Sequence, residues 1–321
     1  MTPTDRSAFG HDTTTEEVLE GLDLTGQRAL VTGGSGGLGE ETARALAAKG
    51  AEVIVTARDL AKGEAAIEGI RKATGNPKVS MEALELDSLD SIRAFADRFL
   101  SRYDALQLLI NNAGVMACPQ GKTQDGFEMQ FGTNHLGHFL LTGLIAPALL
   151  RGAPARIVSV SSRGHQMSPV VFDDIHFENR EYEKWSSYGQ SKTANILFAV
   201  GLEKRLGDRG VHANALHPGM IATDLSRHMR KDDYEFLRER AASRGASKFK
   251  SVEAGAATSV WAASAPELEG RGGLYLEDCH VAGVDDAENA AEGVRAYALD
   301  PEAAERLWGV SEAAVGQTFS L

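Results

Sequence analysis

Only two cysteines, Cys118 and Cys279, occur among 321 residues. That number is too small for a disulfide framework, and no cysteine or histidine grouping has the spacing of a zinc site. Base is scarce relative to acid, with 33 lysines and arginines against 45 aspartates and glutamates and a net charge of -12. A nucleic-acid surface needs clustered lysine and arginine, so that partner class is set aside, and the basic stretch from Arg238 to Lys250 reads as a solvated helix face. Long apolar runs are missing as well. Met1 to Arg6 lacks a signal core, and the longest apolar stretch, Phe139 to Leu150, is too short for a membrane span and is broken by Thr142, Gly143 and Pro147. The expectation is a cytoplasmic protein with no integral membrane segment. There is no Pro/Ser-rich linker, internal repeat or low-complexity tract.

What is present is an alternation of strand-like and helix-like segments. With 43% hydrophobic residues the chain can bury a large core. Strands are expected at Arg28 to Thr32, Glu52 to Ala57, Val79 to Leu86, Leu106 to Asn111, Ala155 to Ser161, Gly210 to Leu216 and Gly273 to Leu276. Seven such strands suit an α/β fold with a Rossmann-type doubly wound parallel sheet, a three-layer α/β/α arrangement. Residues 24–321 are expected to form one such domain, and residues 1–23 an N-terminal extension. In that extension Thr13 to Glu17 supply a capping box for a short helix through Leu22, expected to pack on the sheet's edge. Residues 222–250 are richer in charge, and Leu225, Met229, Phe236 and Leu237 suit the inner face of a helical flap.

Two short signatures carry the chemistry. The first is Thr32-Gly33-Gly34-Ser35-Gly36-Gly37-Leu38-Gly39, lying between the first strand and a helix-forming stretch from Glu40 to Lys49. Gly33, Gly37 and Gly39 permit a tight turn and a close approach of backbone to a pyrophosphate. The helix that follows offers unpaired N–H groups and the positive end of its dipole. The second is Tyr188-Gly189-Gln190-Ser191-Lys192, in a segment from Ser187 to Leu206 with helical apolar spacing. Residues four apart share a helix face. An ammonium beside a phenol lowers its pKa from about 10 and makes it a usable proton relay.

These residues resemble the short-chain dehydrogenase/reductase family. The glycine pattern is TGxxxGxG and the second pattern YxxxK. Asn111-Asn112-Ala113-Gly114 matches the family's NNAG element, Asn134 its active-site asparagine, and Val158 to Ser162 the strand that ends in its catalytic serine. The resemblance covers roughly Leu24 to Leu276 and is nearest the retinol-dehydrogenase-like branch, through Tyr188 to Asn195 and His217 to Thr223. It implies hydride transfer between a nicotinamide cofactor and a carbonyl or alcohol carbon, with Asn134, Ser162, Tyr188 and Lys192 as the catalytic set. Tyr188 would carry the proton, Ser162 would bond the same oxygen, Lys192 would lower the tyrosine pKa, and Asn134 would hold a water leading to solvent. Ser161 rivals Ser162, which is preferred because it closes the strand motif. The stretch Phe172 to Ser187 resembles a branch-specific insertion at the pocket's rim. No metal is required, and His135 and His138, which share a helix face, read as ordinary surface or buried histidines.

The cofactor-binding set is Gly33, Ser35, Gly36, Gly37, Leu38, Gly39, Arg58, Asp87, Ser88, Asn112, Ala113, Gly114, Tyr188, Lys192, Pro218, Gly219, Ile221 and Thr223, with Asp87-Ser88 placed at the end of the third strand. Ala57-Arg58 stands where an NAD site usually has a carboxylate, and a guanidinium suits a 2′-phosphate, so NADP(H) is favoured over NAD(H). Asp59 is the competing contact for the ribose. Met116, Met167, Met220 and the flap suggest a bulky hydrophobic alcohol or ketone, steroid-like, retinoid-like or aromatic. A double-bond reductase would use the same tyrosine and lysine, and a non-catalytic dinucleotide-binding regulator would not need all four active-site positions. An extended-family epimerase would carry TGxxGxxG instead. The family commonly pairs through the helices bearing Asn134 and Tyr188, so a homodimer or homotetramer is expected.

Overall fold

The structure, a computed structural model, describes residues 9–242 and 248–321. The expectation for Met1 to Arg6, and that part of the Arg238 to Lys250 reading that falls in 243–247, lie outside the described residues. In chain order the first half of the elements is α1 (Thr15–Val18), β1 (Arg28–Thr32), α2 (Gly37–Ala48), β2 (Glu52–Ala57), α3 (Leu60–Thr74), β3 (Val79–Ala83), α4 (Leu89–Arg102), β4 (Leu108–Asn111) and the single turn α5 (Met129–Phe131). A π turn, Gly132–Leu136, leads into α6 (Gly137–Arg151), followed by β5 (Ala155–Val160), α7 (Lys184–Leu206), β6 (Val211–His217), α8 (Lys231–Ala242), α9 (Val252–Ser264), β7 (Tyr275–Glu277), β8 (His280–Val281) and α10 (Pro301–Val315).

The apolar strands are buried on both faces, which requires helices on each side. In β1, Ala29 and Val31 join one core cluster with α2, α3 and α9, while Leu30 joins the other with α4, α6 and α7. In β2 the same split separates Val53 and Val55 from Ile54. The sheet order is β3-β2-β1-β4-β5-β6-β7-β8, parallel except for the last pair. The Rossmann-type architecture is as expected, with eight strands in place of seven. The additional β8 folds back from β7 across Asp278 and Cys279, both at positive φ (47° and 59°). That turn reverses the chain in two residues and leaves a strand too short for any periodicity. β3 stops at Ala83 rather than Leu86 because its partner β2 ends opposite it, at Ala57. Likewise β4 begins at Leu108, and β7 spans Tyr275–Glu277.

The capping box is present, with Thr14 accepting from Glu17 N and the Glu17 carboxylate accepting from Thr14 N. The helix is shorter than expected, ending at Val18, and it packs on α9 and α2 rather than on the sheet's edge. Val18 and Leu19 are buried in the same cluster as Val260 and Trp261, and the Thr15 hydroxyl donates to Glu41. At the other end of the chain α10 adds a layer over α6 and α7. Trp308 packs edge-on against Phe139 at 4.9 Å between ring centroids, and the Phe319 ring lies where a Cβ on Gly143 would stand. The outward faces of α6 and α7, the helices expected to meet a second copy, are thus covered within the chain.

Candidate active site

The cradle begins where β1 ends. Gly33 has φ +68°, and Gly36, the N-cap of α2, offers no side-chain cap, so the first N–H groups of that 12-residue helix are left for an anion. A Cβ on Gly39 would stand 2.3 Å from the Gly33 carbonyl oxygen and 2.5 Å from Asn112 Nδ2, and one on Gly33 would stand 2.9 Å from the Ala113 Cβ. The loop can close against the Asn112-Ala113-Gly114 turn only with glycine at both positions. Asn112 Nδ2 donates to the Thr32 carbonyl at 2.8 Å, and the Thr32 hydroxyl accepts from Asn112 N and Ala113 N at 2.9 and 3.0 Å.

The loop after β6 arrives on the opposite side. Gly219 adopts φ +101°, the Ile221 side chain packs over Gly255 beside Leu38, and Thr223 stands 3.3 Å from where Gly37 would carry a Cβ. Arg58 is exposed at the end of β2, while Asp59 caps α3 by accepting from Lys62 N. Lys62 was missed in the sequence reading. Its Nζ lies 3.5 Å from the position of a Gly36 Cβ and 2.6 Å from Asp224 Oδ2, so a second cation stands over the glycine loop. The available signal was its place four residues after Arg58, in the first turn of α3. Asp87-Ser88 does not end the third strand. After the last ladder bond, Leu84 N to Ala57 O, the chain turns, and Ser88 becomes the N-cap of α4.

Asn134, Ser162, Tyr188 and Lys192 converge around Gly114 and the end of β5. Asn134 sits in the π turn, an insertion of the kind that recurs at functional sites. Its Oδ1 accepts from Val115 N at 2.8 Å, and its Nδ2 donates to Val115 O and Ser191 Oγ, both at 2.9 Å. A Cβ on Gly114 would stand 3.0 Å from Asn134 Oδ1 and 3.6 Å from Lys192 Nζ. Ser162 accepts from Gly164 N at 3.0 Å, and a Cβ on Gly164 would stand 2.7 Å from Tyr188 Cε1 and 3.3 Å from Ser162 Oγ, so the ring and the hydroxyl lie side by side against that glycine. Ser161 is turned away, donating to the Lys192 carbonyl at 2.8 Å.

The electrostatics differ from the expectation in one respect. Burial pushes the Tyr188 phenol up to about 12, opposed by the Ser162 hydroxyl, and Lys192 does not figure in that balance. Lys192 Nζ is 5.6 Å from the Tyr188 ring centroid and donates to the Val160 carbonyl at 3.1 Å. Burial brings this ammonium down to about 8.

Beside Tyr188, Ala117 and Trp185 form an apolar cluster joined by Met116, Met167, Met229 and Leu237. Met220 is outside that cluster, and its carbonyl accepts from Lys250 N. Phe236 of α8 stacks on Trp185 at 5.5 Å, and Lys184 pairs with Asp233, so two bridges tie the flap to the start of α7. A groove of about 360 Å³ opens there, lined by Gln166, Met167, Glu183, Trp185, Phe236, Arg240, Glu288 and Arg295. Glu183 and Trp185 place the Phe172 to Ser187 stretch at its rim. His135 and His138 are both buried. No group that could hold a metal and no helix long and apolar enough to cross a membrane occurs among the described residues.

Comparison with known proteins agrees with this arrangement. The sequence model for short chain dehydrogenase matches residues 27–234. A short-chain dehydrogenase/reductase, prx1, of Penicillium roqueforti is 47% identical over 288 residues, covering 88% of this chain and 83% of the relative. Human retinol dehydrogenase 12 is 43% identical over 290 residues, covering 90% and 86%. Among solved structures, an uncharacterised protein from Mycobacterium paratuberculosis aligns with a TM-score of 0.72 at 32% identity, covering 95% of this chain and 98% of that one. A Burkholderia cenocepacia short chain dehydrogenase in complex with NADP aligns at 0.63 with 26% identity, covering 80% and 98%.

Proposed function

The chain belongs to the short-chain dehydrogenase family, and on that premise we propose that it interconverts a hydrophobic secondary alcohol and its ketone with NADP(H). The observation that carries this reading is the placement of the Ser162 hydroxyl and the Tyr188 ring side by side against Gly164, beside the apolar cluster, with Lys192 and Asn134 meeting at Gly114. A bound nicotinamide dinucleotide supplies or accepts the hydride. Tyr188 gives the proton to the substrate oxygen or takes it back, and Ser162 holds that oxygen in place. Lys192, with a pKa near 8, carries charge through neutral pH and stands close to the backbone of Gly114. The glycine loop and the N-terminus of α2 would hold the pyrophosphate, with Pro218, Gly219, Ile221 and Thr223 closing from the other side. Arg58 and Lys62 present two cations where a 2′-phosphate would stand, which supports NADP(H) over NAD(H).

The methionine, tryptophan and phenylalanine surfaces favour a bulky lipophilic substrate, steroid-like, retinoid-like or aromatic. Pairing as a homodimer or homotetramer would use surfaces other than the α6–α7 face, which α10 covers. The test is a turnover screen of ketones, alcohols and enones with NADPH and NADH. Oxidoreduction of lipophilic ketones and alcohols is expected, faster with the phosphorylated cofactor. Faster turnover of enones would overturn the reading in favour of a double-bond reductase.

A further inference from the structure

His138 makes two hydrogen bonds whose direction follows from chemistry. Its Nδ1 lies 3.0 Å from the Asn134 carbonyl oxygen, and its Nε2 lies 2.9 Å from the Thr32 hydroxyl. A carbonyl only accepts, so Nδ1 carries the hydrogen. The ring is fully buried and stays neutral. Burial first, and the Lys192 charge after it, outweigh the Asn134 carbonyl and bring its pKa down to about 4. Nε2 is then a bare acceptor, and the Thr32 hydroxyl must donate to it. That hydroxyl in turn accepts from Asn112 N and Ala113 N.

These bonds form a closed circuit. It runs from Thr32 to Ala113, along the chain through Gly114 to Val115, across to the Asn134 side chain, and from the Asn134 carbonyl through His138 back to Thr32. Gly114, beside Lys192, is enclosed by it.

We propose that His138 is a positioning residue for the active site: its imidazole fixes the π turn that carries Asn134 to the end of β1, and so sets Asn134 against the Gly114 turn. This rests on the reading of Asn134 as part of the active site. The two arms are unequal. Without its histidine partner the Thr32 hydroxyl has another acceptor, the Ile110 carbonyl at 3.4 Å. A buried carbonyl in a π turn that loses its donor has only the looser geometry of the turn itself to compensate. The Asn134 arm therefore carries most of the positioning.

Asparagine and glutamine separate the arms, because an asparagine amide reaches the Nδ1 position and a glutamine amide the Nε2 position. His138→Asn should lower kcat by at most about threefold, whereas His138→Gln should lower it tenfold or more with little change in the KM of the carbonyl substrate. Hydrogen exchange of the unliganded protein supplies a readout that needs no turnover. Amides 113–116 and 133–138 should exchange as in wild type in His138→Asn and faster in His138→Gln. Equal effects of the two variants, or the reverse order, would overturn the proposal. Absence of turnover by the wild-type protein would count against the proposed reaction, and the exchange ordering would still decide the role of His138.

Discussion

Replacing Lys192 with methionine should remove activity and at the same time make the protein more stable at neutral pH. The ammonium is fully buried, and its pKa falls from 10.5 to about 8. That difference amounts to about 3 kcal/mol by which the fold disfavours the charged form. Its one hydrogen bond among the described residues, to the Val160 carbonyl, is shared with Asn195 Nδ2, which donates to the same oxygen at 3.1 Å. Losing it leaves no orphan acceptor and costs about 1 kcal/mol. Methionine fills nearly the same space without charge, so the net gain is about 2 kcal/mol, or roughly 4 °C in Tm for a domain of this size. The sign of the pH dependence follows. Lysine with a lowered folded-state pKa destabilises fully below pH 8, and the penalty fades as pH rises from about 8 towards 10.5, because the folded protein releases the proton before the unfolded chain does. The gap between Lys192→Met and wild type should therefore be widest at pH 7 and narrow by pH 10. Calorimetry of both proteins at the two pH values decides it. A variant less stable than wild type at pH 7, or a gap that does not narrow, would refute the assignment of Lys192 as a buried charge kept at a cost to stability.

Four further outcomes are expected. Tyr188→Phe should leave cofactor binding intact, measured by NADPH fluorescence, and lower turnover about 100-fold or more. Ser162→Ala should lose more activity than Ser161→Ala, whose hydroxyl serves the Lys192 carbonyl. Arg58→Ala and Lys62→Ala should each weaken NADPH roughly tenfold or more in titration calorimetry while NADH changes little, and equal losses for both cofactors would remove these residues from the phosphate position. Gly39→Ala drives a methyl into the Gly33 carbonyl and the Asn112 amide, and should cost about 1–3 kcal/mol of stability in urea unfolding together with most dinucleotide affinity.

The parts of this site legible in the sequence are those whose meaning is local. Gly33, Gly37 and Gly39 announce a loop through their spacing, and Tyr188 and Lys192 announce a helix face through theirs. The preference for Ser162 over Ser161 came from the family motif and not from any local pattern, since two adjacent serines look alike in a sequence, and only the fold shows Ser161 donating to the Lys192 carbonyl. What stayed hidden depends on distant partners. Lys62 gains its place over the glycine loop only because α3 starts beside that loop. His138 looks like any core histidine until Thr32, 106 residues earlier, is found against its ring. The balance at Tyr188 was misjudged for a related reason, since helical spacing places two residues on one face but says nothing of how much water the fold removes from them.

The position of α10 also orders events in time. It is made roughly a hundred residues after α7, yet Trp308 and Phe319 cover rings and glycines on α6 and α7 that are otherwise apolar. A nascent chain that has already assembled β1 to β6 would still present Phe139, Phe198 and Gly143 to its surroundings until residues 301–319 emerge from the ribosome. Completion of this layer waits on residues 301–319, and an interruption before Pro301 would release a chain with a finished sheet and an adhesive back.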